Sequence, residues 1–206
     1  MKKLTLQKRF TDLLSRFTND TMLISFLWKS IESKYTEKHR TYHNLKHLEE
    51  LFSYFDDYKT HLEQSDIVAF SIFYHDIIYN IWKKDNEEKS ADFALEVLNT
   101  LLPELNLEII KEQIIATKTH ESEHLDSQYL IDFDLAILGQ SSEVYQQYSK
   151  LIRTEYKLVP NLLYKQGRKK VLQHFIDKPF IYKTDSFIEK FEQQAKKNLQ
   201  NELNQI

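Results

Sequence analysis

Glycine and proline are scarce in this chain: two glycines and three prolines stand among 206 residues. Tight hairpin turns and phosphate-binding loops depend on glycine, because glycine adopts backbone conformations that other residues avoid. β-Sandwich, Rossmann and P-loop folds are therefore disfavoured. The scarcity of both residues favours helices joined by polar turns.

Apolar residues recur at helical spacing along most of the chain, whereas the strict alternation typical of strands is scarce. This pattern predicts an all-α fold of about nine or ten helices. Because no linker or internal repeat interrupts the pattern, residues 1–206 are interpreted as a single domain, a helical bundle. The predicted helices lie near 4–17, 21–36, from 44, 65–81, 85–102, 106–118, 127–138, 142–157, 161–176 and 185–203.

The composition limits the kinds of site and partner. The chain has no cysteine, so any metal ion must be held by histidine, aspartate and glutamate. The net charge of -3 gives no broad basic surface, which argues against polymeric nucleic acid as a partner. No apolar stretch approaches the roughly 20 residues of a membrane span, so we expect a cytoplasmic protein with no membrane partner. The thin apolar stripe of the last predicted helix leaves a homo-oligomer contact open.

A histidine and an aspartate stand side by side in the most apolar segment, SIFYHDIIY, at His75 and Asp76. This segment belongs to the fourth predicted helix, which should begin at Ser65 or Asp66 and reach Ile81. A buried carboxylate without a partner is costly, so the pair must be hydrogen-bonded or must bind a cation. The residues alone leave both interpretations open.

Three segments carry histidine and aspartate in a set order: His43, then His75-Asp76, then Asp132 and Asp134 in IDFDL. This order resembles the H…HD…D signature of the HD superfamily of metal-dependent phosphohydrolases. The resemblance is closer still to a branch whose pattern reads roughly YHNxxHL, FHDxxY, NEExSA, ATxxH, DxDLxxLG and RxEY. Over roughly residues 40–185 the chain has YHNLKHL, YHDIIY, NEEKSA, ATKTH, DFDLAILG and RTEY, with tyrosine where the second motif usually has phenylalanine.

The resemblance implies that His43, His75 and Asp76 bind a divalent metal ion, with Mn, Mg, Fe, Ni, Co and Zn as the candidates. It also implies a last ligand from the DFD segment. Asp132 is favoured over Asp134 by a small margin, because the residues after Asp132 resemble the usual arrangement better. His120 resembles the additional histidine that binds a second metal in some HD enzymes, and a substrate-contacting or structural role stays open.

Further side chains are candidates for contacts with a phosphate substrate. His47 follows His43 by four residues, which is about one helical turn, and either contacts the phosphate or metal or forms an outer hydrogen bond. The candidate catalytic residues are Asp76, Glu87 and Glu88. One of the glutamates would act as general base or orient a water. The alternative is that both are ordinary carboxylates in the first turn of a helix. The candidate cations for phosphate binding are Lys118, Arg153 and Arg168. For each of them the alternative is an ordinary surface charge.

The resemblance therefore implies a metal-dependent phosphohydrolase, a phosphomonoesterase or phosphodiesterase acting on a small phosphate ester such as a nucleotide. Two alternatives stay open: an HD-type di-iron oxygenase, and a non-catalytic domain that binds or senses nucleotides. The remaining histidines have no matching motif, and we interpret them as surface, loop or core residues: His39, His61, His124 and His174.

Overall fold

The computed structural model describes residues 5–206, with the exception of the side chain of Leu105. Helices make up all the regular secondary structure of these residues. Ten α-helices lie in these residues, with two short 3₁₀ turns, Lys59–His61 and Ala136–Gly139. The prediction of an all-α fold of nine or ten helices is therefore confirmed.

The chain divides into two compact units, Met1–Leu130 and Ile131–Ile206, and the division falls within a helix. The interpretation of the whole chain as one domain stays a prediction. The helices are numbered α1 (Leu6–Leu14), α2 (Thr21–Tyr35), α3 (Leu45–Tyr58), α4 (Ser65–Tyr74), α5 (Asn86–Leu98), α6 (Glu104–Thr119), α7 (Leu125–Leu135), α8 (Ser142–Glu155), α9 (Asn161–Asp177) and α10 (Asp185–Gln205).

Helix α4 is the centre of the first unit. All its residues from Ile67 to Tyr74 are buried, and it packs against α3, α5 and α6. A helix that is apolar all round must be covered on all sides, which explains this central position. Neither α4 nor any other helix in residues 5–206 is both long and apolar enough to cross a membrane.

Helix α4 ends earlier than the sequence predicts. It stops at Tyr74, so His75 is its C-cap residue and Asp76 lies in the turn that follows. The guanidinium group of Arg40 donates hydrogen bonds to the carbonyl oxygens of Asp76, at 2.6 Å, and Ile77, at 2.9 Å. These carbonyls therefore find a partner outside the helix, and the apolar residues up to Ile81 continue the chain without continuing the helix.

The start of α5 lies where the sequence predicts it, but it has no side-chain cap. Asp85 holds the N-cap position, but its side chain accepts no hydrogen bond from the first turn. The carboxylate of Glu88 is bound instead by the ammonium group of Lys118. The spacing of Asp85 and Glu88 would fit a capping box, but none forms, because the lysine of another helix competes for the glutamate.

The second unit brings α10 against the 3₁₀ turn at Ala136–Gly139, and also against α8 and α9. Gly139 permits this close approach. A Cβ atom added at Gly139 would lie 2.6 Å from the Cβ of Phe191 and 2.8 Å from the Phe191 carbonyl oxygen. Since backbone atoms cannot move aside easily, only glycine fits at this position.

We expect Gly139→Ala to lower the free energy of unfolding by about 2 kcal/mol, because the added methyl group overpacks the contact with α10. Gly167 is the matched control, since no atom lies within 4 Å of the position that its Cβ would take. Gly167→Ala should raise the free energy by about 0.5–1 kcal/mol through helix propensity. Urea denaturation measures both changes, and equal effects of the two substitutions would contradict the packing.

Candidate metal centre

Two buried histidines face each other in the first unit. His47 lies on the first turn of α3, His75 is the C-cap of α4, and each is 1% exposed. Their Nε2 atoms are 3.2 Å apart. Nitrogen ligands that each lie about 2.1 Å from one ion are separated by roughly 3–4 Å, so these two atoms have the spacing of metal ligands.

The ring of His75 is oriented by the backbone of its own helix. Its Nδ1 lies 2.9 Å from the carbonyl oxygen of Ile72. Because a carbonyl oxygen only accepts, Nδ1 carries the hydrogen and donates it. In the neutral ring the lone pair is then on Nε2, the atom that faces His47. A backbone partner of this kind is typical of histidines that bind metals.

Asp76 brings a carboxylate to the same point. Its Oδ2 lies 3.3 Å from the Nε2 of His75 and 3.8 Å from the Nε2 of His47, and its side chain is 15% exposed. Burial acts to raise the pKa of Asp76, but the charge and hydrogen bond of His75 and the charges of His43 and His47 lower it well below its ordinary value. The carboxylate is therefore ionised at neutral pH and is the side of the cluster open to solvent.

His43 borders this cluster from the segment before α3. Since Asn44 is the N-cap of α3, His43 precedes the helix, and His43 and His47 are not related by a full helical turn. Their ring centroids are 5.6 Å apart, and the ring of His43 packs against that of Tyr79 at 4.4 Å. The charge of His43 is one of the causes that lower the pKa of Asp76.

The donors suit a divalent metal ion. His47 and His75 belong to a group of side chains whose ligand atoms lie close enough together to hold one. Imidazole nitrogen together with carboxylate oxygen is a set that Zn, Mn, Fe, Co and Ni all accept. From the sequence, His47 could contact the metal or phosphate, or could form an outer hydrogen bond. Its position among these donors favours the role of a metal ligand.

A charged group forms where the first turn of α5 meets the last turn of α6, and it consists of Glu87, Glu88 and Lys118. The ammonium group of Lys118 binds Glu88, donates to the Lys84 carbonyl oxygen at 2.5 Å, and lies 4.0 Å from Glu87. Burial raises the pKa of Glu87, and the negative charge of Asp76 adds to the rise. The hydrogen bond from Lys118 lowers the pKa of Glu88. The two glutamates therefore differ: Glu88 is paired, and Glu87 binds a proton more readily.

His120 ends α6 in the left-handed backbone conformation, with φ of 53°. Among residues 5–206 it is the only residue other than glycine with positive φ. Such a conformation is uncommon outside glycine, although histidine is one of the residue types enriched in it. The geometry assigns His120 to the helix end, and its role as a second-metal ligand stays a prediction.

Asp132, the favoured aspartate of the DFD segment, is fully buried in the second unit and already has partners. Its carboxylate accepts hydrogen bonds from the backbone N–H groups of Lys183, at 2.7 Å, and Thr184, at 2.8 Å, and from the Thr184 hydroxyl at 2.7 Å. Burial raises its pKa to about 6 against the lowering effect of these bonds. Asp132 thus anchors the segment before α10, whereas Asp134 is half-buried further along α7.

Arg153 and Arg168, predicted to bind phosphate, both have protein partners in the second unit. Arg153 donates to the Tyr156 carbonyl oxygen at 2.6 Å, at the end of α8. Arg168 is 8% exposed and donates to both carboxylate oxygens of Glu202, at 2.8 and 2.9 Å. These contacts favour structural roles for both side chains, and phosphate binding stays a prediction.

Sequence reasoning missed the side chains that hold the turn after His75. Arg40 binds its carbonyls, the Ser90 hydroxyl accepts from the Ile78 N–H at 3.0 Å, and Asn86 exchanges hydrogen bonds with the backbone of Asn80 at 3.0 and 3.1 Å. Asn86 and Ser90 belong to the NEEKSA motif, which therefore has a structural use. Nothing in the sequence separates Arg40 from a surface arginine.

Comparison with family models, with curated proteins and with solved structures finds no match for this chain. The resemblance to the HD superfamily accordingly rests on the order of the motifs alone. The observations that stand independently of it are the all-helical fold and the buried histidines whose group could hold a metal ion.

Proposed function

We propose that this chain is a metal-dependent phosphohydrolase that acts on a small phosphate ester, a nucleotide being one candidate. The observation that carries the proposal is the convergence of two histidine nitrogens and one carboxylate oxygen, with separations of 3.2, 3.3 and 3.8 Å. The Nδ1 of His75 is bound to the Ile72 carbonyl oxygen, which leaves its Nε2 facing His47 and Asp76.

The proposed ligands are His43, His47, His75 and Asp76, which all belong to the first unit. Three hydrogen bonds already occupy the carboxylate of Asp132 in the second unit, and a ligand role for Asp132 or Asp134 stays a prediction. A divalent ion at such a site polarises a phosphoryl oxygen and lowers the pKa of a bound water toward neutral. The protein's part is to fix the ligands, and the Nδ1–H group of His75 does so through Ile72.

Glu87 is the proposed general base. Its half-buried carboxylate has a raised pKa, so its affinity for a proton is greater than that of an exposed glutamate. Lys118 lies 4.0 Å from Glu87 and is paired with Glu88. The pair holds the ammonium group of Lys118 against the first turn of α5. There Lys118 would offset negative charge that develops on a phosphate.

The experiment is a screen of phosphomonoesters, phosphodiesters and nucleotides with the wild-type chain, supplemented in turn with Mn, Mg, Fe, Ni, Co and Zn. We expect phosphate release that depends on one or more of these metals and is abolished by a chelator. Metal binding and nucleotide stabilisation without phosphate release would favour the sensing domain. A pair of iron ions that consumes oxygen would favour the oxygenase, and either result would overturn the proposal.

Glu87→Gln should lower kcat by about 100-fold while metal content stays unchanged, because amide cannot accept the proton. The wild-type rate should rise with pH as Glu87 loses its proton, and the raised pKa moves that rise to higher pH than an ordinary glutamate would give. The variant should lack this limb of the pH profile. Glu49→Gln, an exposed change on α3, is the control, and an unchanged profile in Glu87→Gln would exclude Glu87 as the base.

A further inference from the structure

Arg40 is a buried arginine whose guanidinium group binds backbone carbonyls of two separate segments. It is 5% exposed, and its donors contact the carbonyl oxygens of His43 at 3.3 Å, Asp76 at 2.6 Å and Ile77 at 2.9 Å. One of these segments leads into α3 and the other leaves α4. A single planar group thus joins the backbones of His43 and Asp76, two of the proposed ligands.

The remaining contacts of Arg40 fix the plane of the guanidinium group. Its Nε donates to Glu37 at 3.1 Å, and its central carbon lies 5.1 Å from the ring centroid of Tyr35 and 5.4 Å from that of Tyr79. The ring of Tyr79 in turn packs on His43. Because a guanidinium has five donors in a rigid fork, it can serve three carbonyls and a carboxylate together, whereas the single ammonium of lysine cannot.

We propose that Arg40 is a positioning residue for the metal centre: it holds the backbone of His43 and the turn at Asp76 in one arrangement, so that their side chains meet the ion together. This inference rests on the proposed function, since it concerns the same centre. Loss of the fork leaves the ligands present but lets the two segments move independently. The consequence is weaker metal binding and an altered coordination geometry.

The test uses Co²⁺ as a probe, because its visible absorption spectrum reports coordination geometry. We expect Arg40→Lys to weaken Co²⁺ binding by about 10- to 100-fold and to change the spectrum of the bound ion. Arg40→Ala should behave likewise, and a low concentration of guanidinium should restore part of the wild-type spectrum. Circular dichroism of the metal-free variants monitors the helical fold.

Arg9→Lys is the matched control in the same unit. Arg9 also forms a two-pronged ion pair, with Asp56 at 2.8 and 2.6 Å, and lies 4.6 Å from the ring centroid of Phe52. We expect this variant to lose stability but to keep Co²⁺ affinity and spectrum. The comparison separates positioning of the centre from the general loss of an arginine that forms an ion pair.

The outcomes distinguish this inference from the proposed function. If the wild-type chain binds no Co²⁺, both the metal centre and the role of Arg40 are overturned. If the wild type binds Co²⁺ and Arg40→Lys binds it with the same affinity and spectrum, the role of Arg40 alone is overturned. Loss of helical circular dichroism in both Arg40 variants would assign the residue to the fold and also overturn the positioning role.

Discussion

Asp76→Asn should lower metal-dependent phosphate release by at least about 100-fold and reduce the metal content of the purified chain. The Asp76 carboxylate lies 3.3 Å from His75 and 3.8 Å from His47, and it supplies the negative charge of the cluster in the first unit. Replacing it with a neutral amide removes both a ligand oxygen and that charge. The measurements are the rate with the best substrate of the screen and elemental analysis of the dialysed protein.

The control for this prediction is Asp57→Asn, an exposed aspartate on α3 in the same unit. It makes the same chemical change away from the two histidines and should alter neither rate nor metal content. Because asparagine has nearly the same shape as aspartate, the replacement should leave the chain folded, and circular dichroism checks this. An Asp76→Asn variant that keeps both its metal and its rate would show that the cluster is a core hydrogen-bonded group.

Arg168→Met should lower the free energy of unfolding by about 3–5 kcal/mol, because it leaves the buried carboxylate of Glu202 without its partner. The guanidinium binds both Glu202 oxygens, at 2.8 and 2.9 Å, and the side chains are 8% and 11% exposed. Tyr145 also donates to Glu202, so the loss extends through a buried network. Urea denaturation at neutral pH measures the change.

The double variant Arg168→Met, Glu202→Leu is the control, and it should recover most of the lost stability because no unpaired charge remains. Burial raises the pKa of Glu202, but the hydrogen bond and charge of Arg168 outweigh this and lower it below its ordinary value of 4.5. A lowered pKa in the folded state stabilises the protein above about pH 4.5, and this contribution is lost as the pH falls through the folded value. The advantage of wild type over the single variant should therefore shrink in acid, and a constant difference would contradict the ion pair.

The helical fold could be predicted because its signal is local. The spacing of apolar residues set the number of helices, and Asn44 does cap α3 by accepting the N–H of Lys46 at 2.9 Å. The most apolar segment of the sequence is also largely buried in the structure, where its first residues end α4. Such features depend on neighbours a few residues away, which the sequence displays directly.

The errors come from partners that are distant in sequence. The end of α4 depends on Arg40, 36 residues before Asp76, and the absent capping box depends on Lys118, 30 residues after Glu88. The bonds of Asp132 to Thr184, 52 residues further on, were equally invisible in the sequence, and the choice between Asp132 and Asp134 stays a prediction. Periodicity carries no information on such pairs, so the order of the motifs pointed to His75 and Asp76 but not to their hydrogen bonds.

Equilibrium dialysis of the metal-free chain against a divalent metal measures whether the cluster of His47, His75 and Asp76 binds an ion. Wild type and the His61→Ala control, an exposed histidine of the same unit, should each retain about one ion per chain. His75→Ala should bind at least about 100-fold more weakly, because it removes the nitrogen that Ile72 orients toward His47. Equal metal binding by wild type and His75→Ala would contradict a metal centre at this cluster.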